Sequence, residues 1–284
     1  MADGAASFGA RLDAAMSTRG ALCVGVDPHA ALLRAWGLPD DASGLERFAR
    51  TVVEALADRV AVLKPQSAFF ERFGARGIAV LETVVAEARA AGALVVLDVK
   101  RGDIGSTAQA YADAYLDPAS PLAVDAVTVS PYLGFGSLRP FVDTALAHDR
   151  GVFVLALTSN PEGPSVQHAV AADGRTVAQT VLDEIAAVNA GVSPLGSVGA
   201  VVGATITGGT GHDLAKVNGP LLAPGLGAQG ATPADLASVF GSALPWVLPS
   251  YSREVLQNGP DVAALRHAAD TVRRQCASAL GRPA

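Results

Sequence analysis

The strongest constraint on this chain is a rhythm. Short, valine-rich apolar runs recur roughly every 32 residues: LCVGVD (22–27), VAVLKPQ (60–66), LVVLDVK (94–100), AVTVSP (126–131), GVFVLALTS (151–159), GAVVGAT (199–205), LLAPGLG (221–227) and WVLPS (246–250). Continuous apolar runs of this length suit strands buried on both faces, as in parallel sheets. Their spacing is about one strand-plus-helix unit.

Helical patterns fill the gaps. In SGLERFARTVVEAL, Ser43 and Glu46 form an expected capping box, and Leu45, Phe48, Val52 and Leu56 share a face. GIAVLETVVAEARAAG aligns Ile78, Leu81, Val85 and Ala88 and stops at Gly92. A third helix is expected within 174–191. A fourth opens with Thr232 as N-cap, Pro233 at the first helical position and Asp235 near the positive end of the helix dipole. Terminal helices are expected at about 7–18 and about 261–280. Eight buried strands alternating with helices predict an α/β fold, a single-domain (β/α)8 TIM barrel over residues 1–284. The rival is an open doubly wound sheet, which would normally carry a glycine fingerprint after its first strand. GVDPHAALL is not one, and there is no Walker A pattern. The least regular stretch, 160–174, is long enough to close over a site.

Composition excludes some functions. A net charge of −6 lacks the basic footprint of a nucleic-acid binder. No apolar run has the length to span a bilayer, and MADGAASFGARLDAAM has no signal-peptide apolar core. Two distant cysteines make no C-x-x-C pair, and the five histidines have no metal-site spacing. The expectation is a cytoplasmic protein without a metal or cofactor, with most of its histidines at the surface.

Barrel enzymes place their chemistry at the C-terminal ends of the strands. Those ends here carry Asp27, Lys64, Asp98 with Lys100 and Asp103, Ser130, Thr158 with Ser159 and Asn160, Thr205, Gln229, and Ser252 with Arg253. Asp98 and Lys100 are two apart, on one face of a strand. With Lys64 next door and Asp103 just past Gly102, an alternating Lys-Asp-Lys-Asp array would neutralise itself at the barrel mouth. The bland alternative is a salt-bridge network that merely closes that mouth. Asp27 alone reads equally well as a turn cap or a binding group. APGLGAQG (223–230) and SYSREVL (250–256) follow strands seven and eight, where barrels often bind phosphate. Small residues there leave backbone amides open and Arg253 supplies a two-pronged donor, though ordinary turn glycines and a surface arginine would look the same.

These residues resemble the orotidine 5′-monophosphate decarboxylase family. Its signature D-x-K-x-x-D-I reads DVKRGDI here, Asp98 to Ile104. LKPQSAFFE (63–71) resembles the strand-two motif of the family's bacterial second subgroup. TSNPEG (158–163) and APGLGAQG look like its pyrimidine and phosphate segments. The resemblance runs from about residue 20 to 256. It implies cofactor-free decarboxylation of orotidine 5′-phosphate to UMP, the last step of de novo pyrimidine synthesis, by a homodimer with shared active sites. It also implies roles. Asp27 and Lys64 contact the ribose hydroxyls, Asp98 lies against the substrate carboxylate and Lys100 delivers the proton. Asp103 and Thr107, with Ile104 beside them, reach the partner's site. Ser159 reads the pyrimidine amide edge. Gln229 and Arg253 hold the phosphate with backbone around Gly227, and Pro224 lines the substrate. Two alternatives remain open at this point. One is a magnesium-dependent sugar-phosphate aldolase or synthase using the same D-x-K-x-x-D pattern, with a Schiff-base lysine as a variant. The other is a non-catalytic nucleotide-binding barrel.

Overall fold

All eight valine-rich runs fold as strands because each is long enough to cross the sheet and has no polar face to give to water. The computed structural model describes residues 6–206 and 210–282. The expected single span of 1–284 therefore includes a few residues, at both ends and at 207–209, that lie outside the described residues. The strands are β1 (Cys23–Val26), β2 (Val62–Pro65), β3 (Leu94–Arg101), β4 (Ala126–Val129), β5 (Gly151–Leu157), β6 (Val198–Val202), β7 (Leu221–Ala223) and β8 (Val247–Tyr251). They pair in parallel in chain order, and β8 returns to β1 through Cys23↔Ser250 and Val24↔Tyr251 to close a barrel. This closure excludes the open doubly wound sheet. The fold is a (β/α)8 barrel.

Helices cover the outside. Helix Ala42–Leu56 buries Leu45, Phe48, Val52 and Leu56, as its periodicity predicts. Its start differs from expectation. The N-cap is Asp41, whose Oδ1 accepts from the backbone of Ser43 at 2.9 Å and of Gly44 at 3.0 Å. Ser43 already lies inside the first turn, and Glu46 pairs with Arg50 instead. A carboxylate two residues upstream is the stronger acceptor for those amides. Helix Gly74–Ala90 buries Val80, Leu81, Val84, Val85 and Ala88 while Ile78 is only half-buried, so its apolar face is rotated slightly from the expected one. Thr232 and Asp235 do form a capping box, but on a 3₁₀ turn, Pro233–Asp235, that leads into helix Leu236–Phe240. The 174–191 pattern yields Val177–Val188, capped by Thr176.

The N-terminal helix, Phe8–Arg19, lies across the N-terminal end of the barrel. Phe8 is fully buried edge-on to Phe153 at a ring separation of 6.0 Å. Gly151 at the start of β5 makes this possible, since a Cβ there would lie 2.2 Å from the Phe8 ring. Beside it Asp125 accepts from Arg11 at 2.7 Å, Arg150 at 3.1 Å and the Val95 amide at 3.0 Å. The C-terminal helix, Val262–Leu280, is capped by Asp261 and packs on helix Ala42–Leu56. Both cysteines are buried and free. Among the described residues no helix is long and apolar enough to cross a membrane.

Candidate active site

At the opposite end of the barrel, β2, β3 and β4 bring three charges and a hydroxyl together. Lys64 Nζ donates to Asp98 Oδ2 at 3.0 Å and Lys100 Nζ donates to Asp98 Oδ1 at 2.5 Å. Thr128 Oγ1 donates to the same Oδ1 at 2.8 Å and accepts from the backbone of Lys100 at 3.0 Å. Lys64 and Asp98 are 7% and 6% exposed, whereas the Lys100 side chain is 45% exposed and stands over the other two. Burial acts to raise the Asp98 pKa, but the Lys64 and Lys100 ammoniums and their hydrogen bonds outweigh it and hold the carboxyl well below the usual range. Burial likewise acts to lower Lys64, and the carboxylates of Asp98 and Asp27 push it above the ordinary lysine value. Both groups are thus ionised at neutral pH. Beneath them in β1, the Cys23 thiol is pushed up to about 12 by burial and stays protonated.

The two-residue spacing does bring Asp98 and Lys100 together, though not by regular strand alternation. Lys100 has φ +44°, in the left-handed region, and the β3–β4 register shifts between Leu97 and Arg101. This is a bulge, a device that re-aims a side chain.

The array within one chain has three members, not the four expected. Among the described residues Asp103 makes no ion pair with Lys64 or Lys100, and its Oδ1 accepts from the Ile104 amide at 2.8 Å. Ile104 is 63% exposed, and Thr107 is exposed on helix Gly105–Leu116.

The charges form part of the wall of a cavity of about 360 Å³, a volume suited to a small ligand. Asp27, Ser159, Pro224, Gln229 and Arg253 also line it, as the sequence suggests. Asp27 is no turn cap. Residue 29 caps the following helix without a side-chain bond, and Asp27 Oδ1 is buried with no hydrogen-bond partner among the described residues. Ser252 Oγ is in the same condition. Gly25 makes room between them, since a Cβ there would meet Asp27 Oδ2 at 2.7 Å and Ser252 Cβ at 3.0 Å. Unpartnered buried polar atoms in a cavity wall are groups that a polar ligand can satisfy.

Gly227 departs from expectation. Its amide donates to the Ala231 carbonyl at 2.9 Å, so it is not free for an anion. Among the described residues the amides of Ala228 and Gln229 make no such bond, and both residues line the wall with Arg253.

Several lining residues escaped the sequence. Thr128 reads there as one more β-branched residue of a buried strand. Gln66 donates to the Asp98 carbonyl at 3.4 Å. His29 lies against Phe69, ring centroids 4.2 Å apart and planes inclined at 59°, unlike His148, His168 and His267, which are exposed. Ser130 is absent from the lining. It packs under Gly102 and donates its amide to Arg101. The 160–174 segment is less irregular than expected. It contains a helical turn, Pro164–Gln167, and Gln167 clasps Thr158 through bonds of 2.9 and 2.6 Å at the cavity rim. Among the described residues no group of three or more His, Cys, Asp or Glu is placed to hold a metal ion.

Residues 20–268 match the model of the Orotidine 5'-phosphate decarboxylase / HUMPS family. The chain is 72% identical over 274 residues to an orotidine 5'-phosphate decarboxylase of Salinispora arenicola, covering 96% of this chain and 98% of the relative. It is 69% identical over 263 residues to one of Streptomyces coelicolor, covering 93% and 94%. A solved structure from Streptomyces avermitilis superposes with a TM-score of 0.92 at 65% identity, covering 97% of this chain and 96% of the other. The OMP decarboxylase of Leishmania donovani superposes with a TM-score of 0.75 at 32% identity, covering 97% and 99%.

Proposed function

The chain belongs to the orotidine 5′-phosphate decarboxylase family and decarboxylates orotidine 5′-phosphate to UMP in pyrimidine biosynthesis, and from that premise we propose how its residues divide the work. Loss of CO₂ from C6 of the pyrimidine leaves an electron pair in the ring plane, with no ring position to accept it. Preorganised positive charge is the means this chain's own residues offer for stabilising it. Lys100 is the proton donor. Its ammonium faces the developing carbanion at C6 and then delivers the proton there, so one C–C bond breaks and one C–H bond forms. Asp98 lies against the departing carboxylate and fixes the lysine. Lys64 is the counter-charge that keeps Asp98 ionised beneath it. With Asp27, whose buried Oδ1 lacks a partner, Lys64 also takes the ribose hydroxyls. Ser159 reads the pyrimidine amide edge, Pro224 packs against the substrate, and Gln229 and Arg253 hold the phosphate.

The observation that carries this reading is the Lys64–Asp98–Lys100 cluster in the cavity wall, in which Lys100 is the half-exposed lysine above a buried pair. Both Asp98 oxygens are already engaged by ammoniums and a hydroxyl. That favours charge preorganisation over magnesium-enediolate chemistry, in which the carboxylate would have to face a metal. Lys100→Ala is expected to lower kcat by at least about 10³-fold while the thermal midpoint stays near the parent's. Following orotidine 5′-phosphate absorbance with EDTA-treated protein measures it. Near-normal turnover in the variant would refute the assignment.

We further propose that the working unit is a cytoplasmic homodimer in which Asp103, Ile104 and Thr107 complete the partner's site. Support comes from their absence from the wall of their own cavity, and from the exposed apolar residues Ile104, Tyr132 and Leu133 on adjacent loops.

A further inference from the structure

Inside β4, flanked by Val127 and Val129, Thr128 is 1% exposed and reaches the cavity wall. The ladder between β3 and β4 breaks around it. Pairing passes from Leu97↔Val127 to Arg101↔Val129, so Asp98, Val99 and Lys100 all lie opposite Thr128 alone. The surplus chain is absorbed partly by Lys100, which takes φ +44°. That conformation is unfavourable for a residue with a Cβ and persists only where the surroundings hold it. The Lys100 amide finds the Thr128 hydroxyl at 3.0 Å, where a regular parallel ladder would offer a carbonyl. The same hydroxyl spends its one proton on Asp98 Oδ1, at 2.8 Å, beside the Lys100 ammonium.

We propose that Thr128 is the positioning residue of this reaction. Its hydroxyl holds Lys100 in the left-handed bulge and anchors the Asp98 carboxylate, so the ammonium is aimed before substrate arrives. The inference rests on Lys100 as the proton donor. Thr128 acts through both ends of that lysine, its backbone and its counter-ion, and transfers no proton to substrate. Misplacing a reacting group by about 1 Å can cost on the order of 10²-fold in rate with little effect on binding. The signature is therefore a loss in kcat at nearly constant KM.

Thr128→Val keeps the shape and removes the hydroxyl, whereas Thr128→Ser keeps the hydroxyl and removes a methyl. Thr128→Val is expected to lose about 10–100-fold in kcat, with KM and UMP affinity within about threefold of the parent. Thr128→Ser should bring kcat back to within about threefold. Three results would each overturn the proposal: undiminished turnover in Thr128→Val, an equal loss in Thr128→Ser, or KM and UMP affinity worsening in step with kcat. Should the valine variant not fold, Thr128→Ala against Thr128→Ser decides the matter, and equal rates refute the role. Lys100→Ala, assayed alongside, separates the two readings. If it still turns over, the proton-donor assignment has failed. If it is inactive while Thr128→Val is unimpaired, only the role of Thr128 has failed.

Discussion

Asp98 is the residue on which the site's electrostatics turn. Its burial is tolerable because two ammoniums and a hydroxyl meet it, and that has a pH signature. The Asp98 pKa is held below its ordinary 3.8, so its contribution to stability is present above that value and is lost as pH falls through and below it. The Lys64 pKa is raised above its ordinary 10.5, so its contribution is present below that value and is lost as pH rises past it. Removing one partner of a buried pair costs about 3–5 kcal/mol. The stability gap between parent and Asp98→Asn is therefore expected to be flat from about pH 5 to 9 and to shrink beyond either end. Urea unfolding across pH measures it, and a gap that varies steeply near neutrality would contradict the account. The sequence made Lys64, Asp98 and Lys100 legible because charges at the end of apolar strands stand out. Thr128 and His29 did not stand out, since a threonine among valines and a histidine after a strand have ordinary structural readings. The engaged amide of Gly227 was hidden for another reason. Glycine in a turn announces freedom of conformation, not which way its N–H points.

The elements divide their labour between the two ends of the barrel. Helix Phe8–Arg19 seals the end remote from the cavity, with Phe8 filling the space above Gly151 and Arg11 bound to Asp125. Phe8→Ala should cost about 3–5 kcal/mol of stability through the hole it leaves. Since it touches nothing in the cavity wall, kcat at a temperature where the variant remains folded should match the parent. Denaturant titration with parallel assays tests both halves, and a fall in kcat without loss of stability would argue against the division. Helix positions were readable from apolar periodicity, but the caps were less so. The Ser43–Glu46 pattern met the rule for a capping box, yet the helix starts earlier, because the Asp41 carboxylate accepts from the Ser43 and Gly44 amides and from the Ser43 hydroxyl. In the seventh unit Thr232 does sit at the N-cap, and its partnership with Asp235 forms a capping box on a turn tightened into 3₁₀ geometry around Pro233.

The closed barrel was readable from the number and spacing of buried strands, because a parallel strand buried on both faces leaves little else for its sequence to do. A shared site would be legible only as signature residues missing from the wall of their own cavity, as Asp103 and Thr107 are. If they serve the partner, mixing Lys100→Ala and Asp103→Ala proteins should form hybrids with one intact site each, recovering about a quarter of parent activity after random exchange. Each variant alone should remain nearly inactive. No recovery once mass spectrometry has verified hybrid dimers would count against the shared site. The seam between β1 and β8 has a consequence for biosynthesis. On the ribosome, the chain carries one raw flank of β1 until Val247–Tyr251 emerges, because no earlier strand can cover it. Asp27 and Ser252 both crowd Gly25 at that seam, so the hollow they share takes shape only once the first and the eighth strands have met.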